Sequence, residues 1–177
     1  ARLLHMKLVT SIGGIVWAFP DYNNKTGKFI ASLLENGSLS YHSHAWATLL
    51  ATNRYEDKEF FEICLKHTNI ITNRYWPSNL VYSTASGIDT QWLAALDSQM
   101  PKPDLVIVLD VPPEVSIKRK KDRDVIERDS IYLTKVQNLY ISLGATMGWY
   151  VIGGDRGPQE VHQDILKIVS QEFGWKF

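Results

Sequence analysis

Four short apolar runs rich in β-branched residues divide the chain: "IVWAF" (15–19), "NIITN" (69–73), "LVIVLD" (105–110) and "WYVIG" (149–153). Helical patterns fill the intervals. "GKFIASLLENG" closes on Asn36-Gly37, and "YHSHAWATLLATNRYED" and "EFFEICLKH" follow it. "DTQWLAAL" opens on Asp89, a suitable N-cap, and "PPEVSIKRKKD" opens on prolines that suit a first helical turn. Leu133, Val136, Leu139, Tyr140 and Leu143 make one stripe within 130–147, and Val161, Ile165, Ile168 and Val169 make another after Pro158. Strands that are apolar throughout and alternate with helices predict a parallel sheet covered on both faces. In such a sheet ligands bind beyond the carboxyl ends of the strands. That rule selects "FPDYNNKTGK", "NRYWPS", "DVPPE" and "GGDRGP" as the active edge.

The chain's 177 residues suit a single domain, 1–177, with a core that needs no disulfide or metal. With 45% hydrophobic and 21% charged residues it reads as soluble and globular. A formal net charge of zero argues against nucleic acid or a membrane surface as partner, since neither would attract it. One cysteine, Cys64, excludes a disulfide framework and fits a reducing cytoplasm. No apolar run has the length of a membrane-spanning helix.

Two glycine signals carry no phosphate site. "TGKF" puts Tyr22 and Phe29 where a phosphate-binding loop needs its first glycine and its Ser/Thr, so Gly27-Lys28 reads as the start of an ordinary helix. "IGGI" reads as a helix stop, and the histidines of "YHSHAW" have no metal-ligand spacing. Arg74 is different. A buried strand delivers it to the ligand crevice, where its fork suits a phosphate better than a lysine would; the alternative on these residues is a salt-bridged surface arginine. Lys118, Arg119, Lys120, Lys121, Arg123 and Arg128 read by default as a solvated face, but they follow the third active-edge loop, a place that also suits a flap of cations over polyphosphate.

"FPDY...TGKFI", "LLATNRYE", "NRYWPSNLVYS...GIDTQWL", "PKPDLVIVLDVPPEVSIKR" and "ERDSIYLTKVQNLY" stand in the order and spacing of thymidylate kinases, which the chain resembles from Ala1 to about Ser170. The resemblance implies a three-layer α/β fold of the P-loop nucleoside monophosphate kinase type. It implies ATP-dependent phosphoryl transfer to dTMP with Mg²⁺, usually by a homodimer. It also implies a lid-like segment at 118–130. "ARLLHMKL" resembles the helix that follows the family's phosphate-binding loop. The expectation is therefore that the central strand and that loop stand before Ala1, outside this sequence.

Arg74 matches the arginine of the family's Asp-Arg-Tyr motif, which contacts the acceptor phosphate. Arg54 matches the arginine that donates to a thymine carbonyl, and Ser78 and Tyr82 match residues lining base and deoxyribose. Phe19 and Pro20 match the apolar wall under the nucleotide. Arg119 and Arg123 fall in the lid, and Asp155-Arg156 where the adenine edge packs. Four positions depart from the pattern. Asn73 replaces the motif's carboxylate, Leu50 stands where a stacking phenylalanine is common, Val125 takes a lid arginine's place, and Tyr22 stands where some members bind phosphate with arginine. Two alternatives follow from these departures: a kinase for another nucleoside monophosphate, and a nucleotide-binding relative without turnover.

Overall fold

The computed structural model describes residues 9–35, 43–119 and 130–176. Two compact units emerge. One is Gly14–Lys102, and the other gathers Pro103–Phe177 with the described residues before Gly14.

The first unit holds β1 (Ile15–Ala18), α1 (Lys25–Glu35), α2 (Ser43–Glu56), α3 (Lys58–Leu65), β2 (Ile70–Asn73), α4 (Trp76–Ala85) and α5 (Thr90–Leu96). β1 and β2 pair in parallel, from Ile15 opposite Ile70 to Ala18 opposite Asn73. Beneath them Phe19, Phe61, Tyr75 and Met100 form a buried cluster, with Trp17, Tyr55, Ile70 and Trp76 packed against it. Its rings meet closely: Phe61 stacks on Tyr75 at 5.6 Å and Phe19 tilts onto Tyr75 at 5.5 Å. Such pairs contribute beyond their buried area, so the strand ends rest on a rigid floor.

The loop after β1 is tied to the end of α2 chiefly through Asn53. Asn53 is fully buried; its Oδ1 accepts from the Asp21 amide at 2.8 Å, and its Nδ2 donates to the Asp21 carbonyl and to Asn24 Oδ1. A buried amide so fully satisfied fixes geometry rather than costing stability. Glu56 caps α1 by accepting from the Lys25 and Thr26 amides, each at 2.9 Å. Gly27 lies so close to Asp21 that a Cβ would stand 1.7 Å from its carbonyl oxygen. That approach, not phosphate binding, is what requires the glycine.

The second unit holds β3 (Ile107–Asp110), α6 (Pro113–Arg119), α7 (Ser130–Met147), β4 (Tyr150–Gly153) and α8 (Pro158–Phe173). β3 and β4 are parallel, from Ile107 opposite Tyr150 to Asp110 opposite Gly153. Val161, Ile165, Ile168 and Val169 are buried, the stripe expected of α8. Gly174 ends that helix in the left-handed region.

The strands thus form two parallel ladders of two, with no ladder joining β1 to β3 among the described residues. Among the described residues each strand has a partner on one side. Ile15, Val16, Leu109 and Val151 are exposed, where apolar runs predicted burial on both faces. The helix α4 is a further difference, since "NRYWPS" read as a loop. Pro77 occupies its first turn, where the missing N–H costs nothing. Asp89 caps α5 as expected, its side chain accepting from the Trp92 amide.

Candidate functional site

At the carboxyl end of β2 the chain turns sharply into α4. Asn73 ends the strand, exposed, its carbonyl accepting from the Phe19 amide at 3.1 Å. Arg74 follows with φ of 65°, the left-handed region that a residue with a Cβ enters only under strain. Its Nη1 donates to Ser78 Oγ at 3.2 Å, and its Cζ lies 5.1 Å from the centre of the Tyr82 ring. Positions 78 and 82 are one helical turn apart on α4, so they share a face. Arg74, Ser78 and Tyr82 are therefore one constellation. Strain at an exposed cation, held by a hydroxyl and a ring, marks a place where geometry is set for a ligand.

The other acceptor-side candidates lie in the same unit. Phe19 is buried in the aromatic floor, and its peptide bond to Pro20, which is half-buried, is cis. Tyr22 is exposed in the loop that Asn53 holds, and Leu50 is half-buried on α2. Arg54 departs most from expectation. It is 3% exposed, and its Nε and Nη2 both donate to Asp97, at 2.7 and 2.6 Å. A guanidinium removed from water needs such a partner, and this one meets it fork to fork. Nη1 is the nitrogen that Asp97 does not engage. Tyr75 sits beside the pair, donating its hydroxyl to the Pro101 carbonyl at 3.1 Å. Burial drives its phenol well above the ordinary value, with Arg54 and Asp97 acting in opposite directions.

At the ends of β3 and β4 the arginines are differently engaged. Arg119, the last residue of α6, donates from Nη1 to the Gly154 carbonyl and from Nη2 to the Asp155 carbonyl, both at 2.8 Å. Arg156 donates to the Gly153 carbonyl and pairs with Asp164 at 2.6 Å. Asp155 is exposed in the same loop. Gly154 donates to the Asp110 carbonyl at 2.7 Å, while Asp110 Oδ1 accepts from Gln137 Nε2 at 2.6 Å. Arg123 and Val125, with the rest of the expected lid from 120 to 129, lie outside the described residues.

Asp97 and Asn53 were not singled out in the sequence. One signal for Asp97 existed: an acid at a helix C-terminus is unfavourable against the dipole unless a cation meets it. For Asn53 there is none, because an amide within a helical pattern does not announce a partner 32 residues away.

A family model described as Thymidylate kinase matches residues 1–165. A probable thymidylate kinase of Methanocaldococcus jannaschii is 29% identical over 161 residues, or 90% of this chain and 85% of that protein. A thymidylate kinase of Arabidopsis thaliana is 30% identical over 172 residues; the match takes in 94% of this chain and 65% of the plant protein. The solved thymidylate kinase of Candida albicans matches with a TM-score of 0.80 over 96% of this chain and 85% of its own, at 23% identity, which shows a shared fold.

Proposed function

The chain belongs to the thymidylate kinase family, whose reaction is ATP-dependent phosphorylation of dTMP, and from that premise we propose how its residues divide the work. In phosphoryl transfer the protein positions the reactants and neutralises charge; little covalent chemistry falls to it. Arg74 grips the acceptor phosphate with its planar fork, while Ser78 and Tyr82 hold that fork and line the sugar. The Phe19–Pro20 wall and Leu50 border the base, Tyr22 borders the phosphate, and Arg54 turns Nη1 to a thymine carbonyl. On the donor side Arg119 shapes the Gly154–Asp155 loop beside which the adenine of ATP packs, with Asp155 and Arg156 at its rim. Arg123 takes the place of a lid cation.

Mg²⁺ is implied by the resemblance. Among the described residues no three His, Cys, Asp or Glu side chains gather to hold a metal ion, and Asn73 offers an amide in place of a carboxylate. Mg²⁺ takes one or two carboxylates together with substrate phosphates, so what the described residues would add around it is positioning and charge. Phe60 and Ile63, exposed one turn apart on α3, support a homodimer. A cytoplasmic setting rests on Cys64, a free thiol. No described helix is long and apolar enough to cross a membrane.

The observation that carries the reading is Arg74, strained at a strand's carboxyl end and aimed by Ser78 and Tyr82. The test is ATP-dependent conversion of dTMP to dTDP by the full-length protein and its Arg74→Ala variant. Loss of an electrostatic donor at the reacting phosphate lowers kcat by about 10²–10³-fold. An unchanged kcat in a folded variant overturns the assignment.

A further inference from the structure

Asp97 lies outside every motif that pointed to nucleotide chemistry, yet it controls one of the arginines. The pair joins the last turn of α2 to the residue just after α5, 43 positions away. Both groups are almost fully buried, their side chains 3% and 5% exposed. A buried ion pair is weak evidence for stability, because an apolar pair of like volume does as well. What it does supply is direction. Two parallel N–H···O bonds fix the plane of the guanidinium, and with Nε and Nη2 occupied only Nη1 remains to face something else. The residue before it reinforces this. Asn53 ties the same helical turn to Asp21 and Asn24 in the loop after β1, so backbone and side chain of Arg54 are each pinned from a different element.

We propose that Asp97 is a positioning residue for base selection: its carboxylate orients Arg54 so that Nη1 meets the O4 carbonyl of a thymine. This rests on the reading that Arg54 faces the base. A carbonyl accepts from Nη1, whereas the amino group that cytosine carries at the same place cannot. Removing the carboxylate leaves a buried cation free to tilt and leaves base choice to shape alone.

The experiment measures kcat and KM for dTMP and for dCMP, with melting temperatures, in full-length wild type, Asp97→Asn, Asp97→Glu, Arg54→Ala and the Asp97→Asn/Arg54→Ala double variant. Asp97→Asn should lower the dTMP-to-dCMP ratio of kcat/KM about tenfold, the size of one misplaced charged hydrogen bond. The loss should lie in KM for dTMP, with kcat and the KM for ATP near wild type. Asp97→Glu should recover part of it. In the Arg54→Ala background Asp97→Asn should change the ratio no further, as expected of a residue acting through another. If Asp97→Asn lowers the melting temperature and leaves the ratio intact while Arg54→Ala changes it, Asp97 is structural and the proposal falls. If Arg54→Ala itself leaves the ratio intact, the base-facing reading of Arg54 falls first. Should Asp97→Asn not fold, Asp97→Glu, which keeps the charge and displaces it, decides by the same ratio.

Discussion

The ends of β2 and of β3–β4 both carry arginine, and they treat it in opposite ways. At β2 the backbone of Arg74 is strained, and the helix that follows sets a hydroxyl and a ring beneath its side chain. At β3–β4 the forks of Arg119 and Arg156 go to backbone carbonyls and to Asp164, so these residues shape a loop. The carbonyls of Gly153, Gly154 and Asp155 would otherwise rely on water in a turn that leaves strand geometry; charged donors stiffen them. How a cation beyond a strand's carboxyl end is held thus depends on the element that follows it. The buried Arg54 is the intermediate case, two nitrogens committed to Asp97 and one not.

Substitution separates the two regions. Beside the loss expected for Arg74→Ala, Arg119→Ala should leave kcat and the KM for dTMP within about twofold and raise the KM for ATP. It should also remove about 1–2 kcal/mol of stability, the size of two hydrogen bonds from one side chain. Steady-state kinetics with each substrate varied, joined to chemical unfolding, checks this. A fall in kcat as deep as that of Arg74→Ala, at wild-type stability, would make Arg119 catalytic and erase the contrast. Within the β2 region, Tyr82→Leu tests what holds the fork. An exposed cation–ring contact is worth about 0.5–1 kcal/mol, so the KM for dTMP should rise about two- to fivefold. No change would leave Ser78 and the backbone strain as sufficient.

The same contrast explains how much could be read from the sequence. The four strands stand within two residues of their apolar runs, and α7 spans 130–147 as its stripe indicated, because period and burial are local. Ser78 and Tyr82 follow from the family resemblance, yet the helix that carries them does not show in the sequence, since Trp76, Pro77, Ser78 and Asn79 look like turn chemistry until Leu80 and Val81 are packed. The burial of Arg54 was illegible in the sequence. Its partner lies 43 residues on, and only tertiary contact decides whether an arginine is exposed. The carbonyl bonds of Arg119 were hidden for the same reason: a backbone acceptor leaves no trace in side-chain type.

The smallest effect compares how the two regions respond to acid. In the β1–β2 unit, hydrogen bonds from Thr26, side chain first and backbone next, hold the Glu56 carboxyl below its ordinary value. In the β3–β4 unit the Arg156 hydrogen bond and charge hold Asp164 down. Each carboxylate is favoured in the folded state, so each contributes stability above its unfolded pKa that is lost as pH falls through the lowered folded value. Asp57 runs the other way. Burial raises its pKa, so it favours the fold as pH falls, a contribution lost as pH rises through the raised value, offsetting Glu56 one residue away. Salt distinguishes the units, because Arg156–Asp164 is a surface ion pair that counter-ions screen, while Glu56 accepts from the Lys25 and Thr26 amides. Unfolding measured between about pH 3 and pH 6, in low and in high salt, should show Asp164→Asn flattening the acid slope only at low salt. Glu56→Gln should flatten it at both. Its amide presents one carbonyl oxygen where the carboxylate presented two, so one of the two α1 amides loses its acceptor at every pH. An acid slope that Glu56→Gln leaves untouched would mean that the charge of Glu56 is not coupled to folding.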